Sequence, residues 1–296
     1  MGTGFFPSRH RSCAGCSERT VEVKGEEVAE YYHRGVVCHL IGLPLAVPLD
    51  VELMRPGEGE LPAGRRLMER SVETYGRLFD VAVVDALYFN EDVVTFWLKH
   101  GKHVIATLKE NNSSLLEDAK GLFTMMEPKV WREGKKTVRC WDAERFIYGK
   151  TGTIRMRVLY AEETTTKRER RGSRTVEKTV ETYWSWGTTI PASVLPTREL
   201  WHFAHARWDI ENDLFETLVK HWSLNHCFKH DPTAILNFLL TLFIAYVLLQ
   251  SFYQRNMKPE LRSRFTLIAI AVELTIGVAA PHCVAPWVAL FTGPAP

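Results

Sequence analysis

The sequence predicts an α/β core that is interrupted by an antiparallel β piece and completed by a helical return. Three observations predict it. Short β-branched or apolar runs alternate with segments of helical spacing between Val36 and Phe123. A sustained period-two pattern occupies the stretch bracketed by Pro128 and Pro196, clearest in Ile154-Arg-Met-Arg-Val158. Helical spacing returns at Thr197 and continues, with brief breaks, toward the C-terminus.

The elements follow in order. Val36–Ile41 and Leu45–Leu53 read as strands separated by Gly42 and Pro44, and a turn at Gly57–Pro62 precedes a helix over Ala63–Leu78. Asp80–Val84 is a short apolar run of the kind buried in parallel sheets, with Asp85 at its carboxyl end. Glu91–His100 reads as a helix stopped by Gly101, Val104–Leu108 as a strand, and Ser113–Phe123 as a helix. Past Pro128, strands are expected at Thr137–Trp141, Ile154–Tyr160 and Val176–Trp186, and Thr197 is the expected N-cap of the helical return.

The bulk composition is that of a globular chain. At 296 residues, with 46% hydrophobic and 24% charged residues, it can bury a sizeable core. A net charge of +2 excludes global basicity as the means of binding nucleic acid, so DNA contact must come from local patches. Six cysteines without an N-terminal apolar segment do not suggest a disulfide framework, which points to the cytosol. Ala234–Phe252 is about long enough to cross a bilayer, but Asn237, Thr241, Gln250 and Ser251 interrupt it. A second apolar stretch, Thr266–Ala280, carries Glu273. A buried helix pair, not a membrane span, is the expectation.

Two carboxylates stand out. Asp85, at the end of a buried parallel strand, sits where open α/β sheets place functional groups, although an Asp there also caps a following helix. Glu211 lies one helical turn from Arg207, which reads either as a site residue or as a surface ion pair; Trp208, Ile210, Leu214 and Phe215 around it argue for close packing.

Together the words VVDALYFN at Val83–Asn90, ATLKEN at Ala106–Asn111, a β-rich insertion and RWDIEN at Arg207–Asn212 carry a resemblance. They resemble insertion-sequence DDE transposases with an RNase H-like catalytic domain, whose signature is Tyr-x2-Arg-x3-Glu-x6-Lys. The resemblance covers about residues 2 to 265, and is sharpest at RWDIEN followed by LVKHWSLNH. It implies a mixed RNase H-like sheet with flanking helices, divided as 1–127 for the first part of the core, 128–196 for the β insertion, 197–265 for the return carrying Glu211, and 266–296 for a C-terminal helix and tail. It also implies that Asp85 and Glu211 are catalytic and hold metal, two Mg²⁺ or Mn²⁺ ions roughly 3.5–4 Å apart, so that the carboxylates lie within about 8 Å of one another. Arg207 and Lys220 would contact DNA. The implied activity is metal-dependent cleavage and strand transfer at transposon ends, in a bacterial-type cytoplasm and at the nucleoid, with a homodimer on DNA as one assembly.

The chain also departs from the signature. Ala204 stands at its Tyr and Leu218 at its Lys; Lys220, the nearest lysine, would lie about 180° around an α-helix from Glu211. In the family an Asp precedes Gly-Thr-Gly-Phe-Phe and a Cys-x2-Cys pair, whereas here Met1 precedes Gly2–Phe6, with Cys13 and Cys16 following. The resemblance therefore implies that the first strand and the first Asp are missing from these residues, that the two-ion site is incomplete and that strand transfer is lost. Two other classes stand beside this reading: a DNA-binding or regulatory remnant without catalysis, and a membrane-associated helical protein resting on residues 234–280.

Three weaker signals remain. Cys13-x2-Cys16 has zinc-knuckle spacing, with His33, Cys38 or His39 available as further ligands, but no second Cys-x2-Cys pair exists and a tight turn is the expected reading. Lys167, Arg168, Arg170, Arg171 and Arg174 form a basic run between two strands, either a solvated hairpin tip or a phosphate-contacting loop. Trp184 and Trp186 share one strand face, where core packing is expected over stacking on DNA, and His202 and His205 are expected to be structural.

Overall fold

A computed structural model describes residues 2–43, 45–109, 113–171, 174–208, 210–226 and 229–279. The chain forms two compact units, Met1–Met68 with Trp208–Pro296, and Glu69–Arg207.

The first unit is built on a four-stranded antiparallel sheet. Strand β3 (Glu26–Leu40) pairs with β1 (Gly2–Ser8), β2 (Ser17–Val23) and β4 (Val47–Leu53). Strands β1 and β2 were not expected from the sequence, and β3 begins ten residues before the expected Val36. The alternation that should betray them is weak: β2, Ser-Glu-Arg-Thr-Val-Glu-Val, has no buried residue, so no apolar face selects its pattern. Helix α1 (Glu60–Tyr75) starts before the expected Ala63. Its Arg66 donates to Glu52 at 2.6 Å and to Glu58, whose carboxyl that bond holds down at about 2.

Helices α5 (Glu216–His221), α6 (Pro232–Arg255), α7 (Pro259–Arg262) and α8 (Leu267–Ala279) complete this unit. Asp231 caps α6 by accepting from Ala234 N–H at 2.8 Å, and Pro232 fits the first turn because its missing N–H would be unpaired there anyway. Leu239, Phe243 and Tyr246 of α6 pack on Phe5, Phe6, Val37 and Val51 of the sheet. Gln250, buried in the same helix, exchanges hydrogen bonds of 2.9 and 2.8 Å with the Ala46 backbone. By length and composition alone α6 could cross a bilayer, a test that a soluble core helix also passes. One face is sheet-packed and Gln250 is strapped to Ala46, but only 33% of the apolar stretch is buried, with Ile244 and Leu248 exposed, so the helix is half covered where the sequence predicts a buried one.

The second unit holds a six-stranded mixed sheet, ordered β5 (Val81–Val84), β6 (His103–Thr107), β10 (Arg174–Thr188), β9 (Ile154–Arg171), β8 (Lys136–Tyr148), β7 (Lys129–Glu133). Only β5 and β6 are parallel. Helices α2 (Glu91–Lys99) and α3 (Ser113–Phe123) flank β6 in sequence, and α4 (Thr197–His205) follows the sheet. Asn90 caps α2 by accepting from Val93 N–H at 3.0 Å, and Gly101 follows its end at φ 68°, a left-handed stop that glycine takes without strain. The β insertion is not a separate sheet. Trp186–Thr188 of β10 pair with Ile105–Thr107 of β6, so the insertion continues the parallel pair edge to edge. Past the Lys136–Thr165 pair, β9 and β10 run on as a two-stranded ribbon to Arg171 and Arg174.

The expected N-cap Thr197 lies inside α4, and Pro196 caps it without a side-chain bond. The Thr197 hydroxyl instead donates to Asp142 at 2.6 Å, part of a buried polar cluster with Arg157. A second buried cluster surrounds Glu163 of β9. Its carboxylate is 1% exposed and accepts from Lys136 at 2.6 Å, Trp201 Nε1 at 2.8 Å and His205 Nε2 at 2.6 Å. His205 also meets Trp184, Trp186 and Trp201 edge-on. The tryptophan pair and His205 are thus core, as expected.

Burial pushes the Glu163 carboxyl up, but the bonds from His205 and Lys136 outweigh it and hold the group at about 2, against an ordinary value of 4.5. A depressed carboxylate contributes stability that is complete above its unfolded value and lost as pH falls through the folded one. Denaturant unfolding of the wild type and of Glu163→Gln, compared at successive pH values, should therefore show a gap that closes between about pH 4.5 and about pH 2. The gap at neutral pH should be on the order of 2–3 kcal/mol. A gap that stays constant through this range would show that the network does not depend on the charge.

Candidate functional site

Asp85 follows directly from the apolar run of β5. Val81–Val84 pairs in parallel with His103–Ala106, which leaves Asp85 at the carboxyl end of the pair. Its Oδ1 accepts from Ala86 N–H at 2.7 Å and starts a single 3₁₀ turn at Ala86–Tyr88. Capping and site placement are thus not alternatives here, since the side chain caps while 29% of it remains open to solvent. The turn is anchored from below: Ala86, Tyr88 and Phe89 are buried, and Phe89 stacks on Tyr148 at 4.7 Å between ring centres. Gly187 permits this, because a Cβ there would press on Phe89 and Met156 at 3.2 Å.

Arg207, at the end of the same unit, is 7% exposed in its side chain, and its guanidinium lies 3.9 Å from Asp85 Oδ2. The sequence pairs Arg207 with Glu211 by helical spacing, and misses Asp85 as a partner because 122 positions separate 85 from 207 (207 − 85). At this distance the pair is a charge contact and not a hydrogen bond, so the guanidinium favours the ionised carboxylate without setting its direction.

Glu211 belongs to the other unit and is half-buried. The long helix expected to carry it is broken: α4 ends at His205, a 3₁₀ turn covers Ala206–Trp208, and Ile210–Phe215 is a π turn leading into α5. The wider turn brings Ile210, Leu214, Phe215 and Leu218 all to one apolar cluster. π turns recur at functional sites because the extra residue re-aims side chains. Each π residue also advances less than the 100° of an α-helix, so Lys220 stands less than a half-turn from Glu211 and the expected 180° is too large. Lys220 itself is exposed and pairs with Glu216 one turn back.

At the two positions where the chain departs from the signature, Ala204 is 1% exposed and packs with Trp186 and Trp201, while Leu218 is 0% exposed beside Phe5 and Phe243. Both side chains are core.

The backbone of Lys167, Arg168, Arg170, Arg171 and Arg174 lies on the outer ends of β9 and β10, with Arg171 opposite Arg174 and Arg170 opposite Thr175. Their side chains, residues 172–173 and Met1 lie outside the described residues. Asp50 sits mid-strand in β4, opposite Cys38, and its Oδ1 accepts from Val51 N–H at 2.7 Å.

The Asp85 carboxylate offers hard oxygen donors, which suit Mg²⁺ or Mn²⁺ and not a thiophilic metal. A model of the transposase DDE domain family matches residues 15–248, a span that includes both carboxylates, Arg207 and the whole insertion. No curated protein matches the chain.

Proposed function

The chain belongs to the transposase DDE domain family, and from that premise we propose that its residues serve metal-dependent DNA cleavage and strand transfer, to which they contribute Asp85 and Glu211 as two of the three carboxylates such a site needs. The observation that carries the proposal is Asp85 itself: a half-open carboxylate at the carboxyl end of a parallel strand, faced by a buried arginine, inside the family match. In this reading Asp85 and Glu211 supply oxygen ligands, Arg207 favours the ionised form of Asp85, and the basic ribbon of Lys167–Arg174 engages phosphates. Held by these carboxylates, Mg²⁺ would supply activation of a water or a 3′-hydroxyl and stabilisation of the leaving oxygen. The DNA partner is the transposon end, and the place of action is the cytoplasm.

The third carboxylate is where the resemblance puts Met1. A polypeptide of these 296 residues is therefore expected to bind transposon-end DNA without cutting or joining it. A polypeptide carrying an apolar strand and an Asp ahead of Gly2 is expected to do both. The assay is strand transfer on labelled end DNA with Mg²⁺ and with Mn²⁺, read beside a binding assay at fixed salt. If the 296-residue polypeptide already joins DNA, another carboxylate fills the place, and Asp50 is the first to replace.

A further inference from the structure

We propose that Cys13, Cys16, His33 and His230 form a structural zinc site. The four ligand atoms lie within 4.8 Å of one another. A tetrahedral site with Zn–S of about 2.3 Å and Zn–N of about 2.0–2.1 Å has edges of about 3.8 Å between sulfurs and about 3.5 Å between sulfur and nitrogen. The two sulfurs are 3.7 Å apart, both lie 3.4 Å from His33 Nε2, and Cys16 Sγ lies 3.1 Å from His230 Nδ1. These four of the six edges lie within about 0.4 Å of a tetrahedron's, and the remaining two are no longer than 4.8 Å. They exclude a disulfide, whose sulfurs would be about 2 Å apart.

The surroundings are built for the site. The Cys13 N–H donates to Cys16 Sγ at 3.2 Å, and Cys16 N–H to Cys13 O at 3.1 Å, closing the Cys-x2-Cys turn so that both sulfurs face inward. Gly15, between them, permits the close approach of α6: a Cβ there would land 2.7 Å from Pro232 Cγ and 3.3 Å from His33 Cε1. His33 is 1% exposed, so its ring is held within the cluster and away from water. The Nε2 of His230 is buried without a partner, so the ring is oriented through Nδ1 alone. Four lone-pair atoms facing one another would otherwise be desolvated for little return. Binding releases the two thiol protons, and the two thiolates cancel the ion's charge.

The sequence could not supply this set. It offered a Cys pair with His33, Cys38 or His39, but the fourth ligand, His230, is 214 positions from Cys16. Cys38 and His39 are not among the four. The site joins the β1–β2 connection, strand β3 and the start of α6, and so closes a loop through most of the chain.

The test uses tag-free chain purified under reducing conditions. Elemental analysis should find about one zinc per chain. Cobalt replacement should give the visible bands of a tetrahedral ion together with a thiolate-to-metal charge-transfer band. Cys16→Ser and His230→Ala should each weaken metal affinity by at least about a hundredfold, while Cys38→Ser should leave it unchanged. Should the ligand variants fail to fold, the wild type still decides: chelation should expose two further thiols to a thiol reagent and lower the melting temperature. A folded chain with less than about a tenth of a zinc, and no cobalt spectrum, would overturn the proposal, as would a His230→Ala chain that keeps both.

Discussion

Asp85→Asn is expected to lower strand transfer by about a thousandfold or more, measured in single turnover with Mg²⁺ in the polypeptide that carries an Asp ahead of Gly2. The substitution is chosen because it preserves the turn: an Asn Oδ1 can still accept from Ala86 N–H, as Asp85 does at 2.7 Å. What it removes is the negative charge that faces Arg207 and that the proposed site would offer to divalent ions. Losing one anchoring anion from a two-ion site forfeits several kcal/mol of transition-state stabilisation, and each 1.36 kcal/mol is about tenfold in rate. Affinity for end DNA should change by less than about threefold, because the ribbon of Lys167–Arg174 is untouched. An Asn variant that joins DNA within tenfold of its parent would remove Asp85 from the catalytic set, whatever its position on the strand.

The largest stability effect is expected at a place without catalytic significance. Asp142→Ala should cost about 3–5 kcal/mol, because it strands a charge in the core. Arg157 is 2% exposed and Asp142 6%. The guanidinium donates to both carboxylate oxygens, at 2.7 and 2.6 Å, and to Leu195 O at 2.6 Å. Lys129 bonds the Thr197 hydroxyl, which in turn bonds Asp142, so the cluster ties β7, β8 and β9 to the entry of α4. Removing the acid leaves Arg157 with a carbonyl and no anion. The measurement is the urea midpoint at constant slope. Replacing both partners, in Asp142→Leu with Arg157→Met, should cost much less than Asp142→Ala alone, since no buried charge remains. A single-variant loss below about 1 kcal/mol would show that water reaches Arg157 and solvates it.

Elements whose own residues decide their conformation were legible in the sequence. Helix α2 has its Asn90 cap and Gly101 stop written in order, and α3 falls on the expected Ser113–Phe123. The long β insertion announces itself by alternation because one face of β8, β9 and β10 is core, as at Val138, Cys140, Leu159 and Trp186. What escaped depends on residues far apart in the chain. Strand β2 exposes nearly every side chain and is held by backbone pairing with β3, so composition carries no trace of it. The π turn at Ile210–Phe215 is set by four apolar side chains reaching one cluster, while spacing alone reads as an ordinary helix. At the candidate site the place of Asp85 was legible, because the apolar run of β5 ends on it. Arg207 as the partner of Asp85 and His230 as the partner of Cys16 were not, since only folding brings them together.

The two-stranded ribbon beyond Lys136 sets a length scale for DNA recognition. Six residues on each strand, Thr166–Arg171 and Arg174–Thr179, extend past the last β8 pair. At about 3.4 Å per residue they reach roughly 20 Å. A two-stranded ribbon is also the width that the major groove of B-DNA admits, about 12 Å. Since the duplex rises by about the same 3.4 Å per base pair, a ribbon laid along that groove would advance one residue per base pair and follow about six of them.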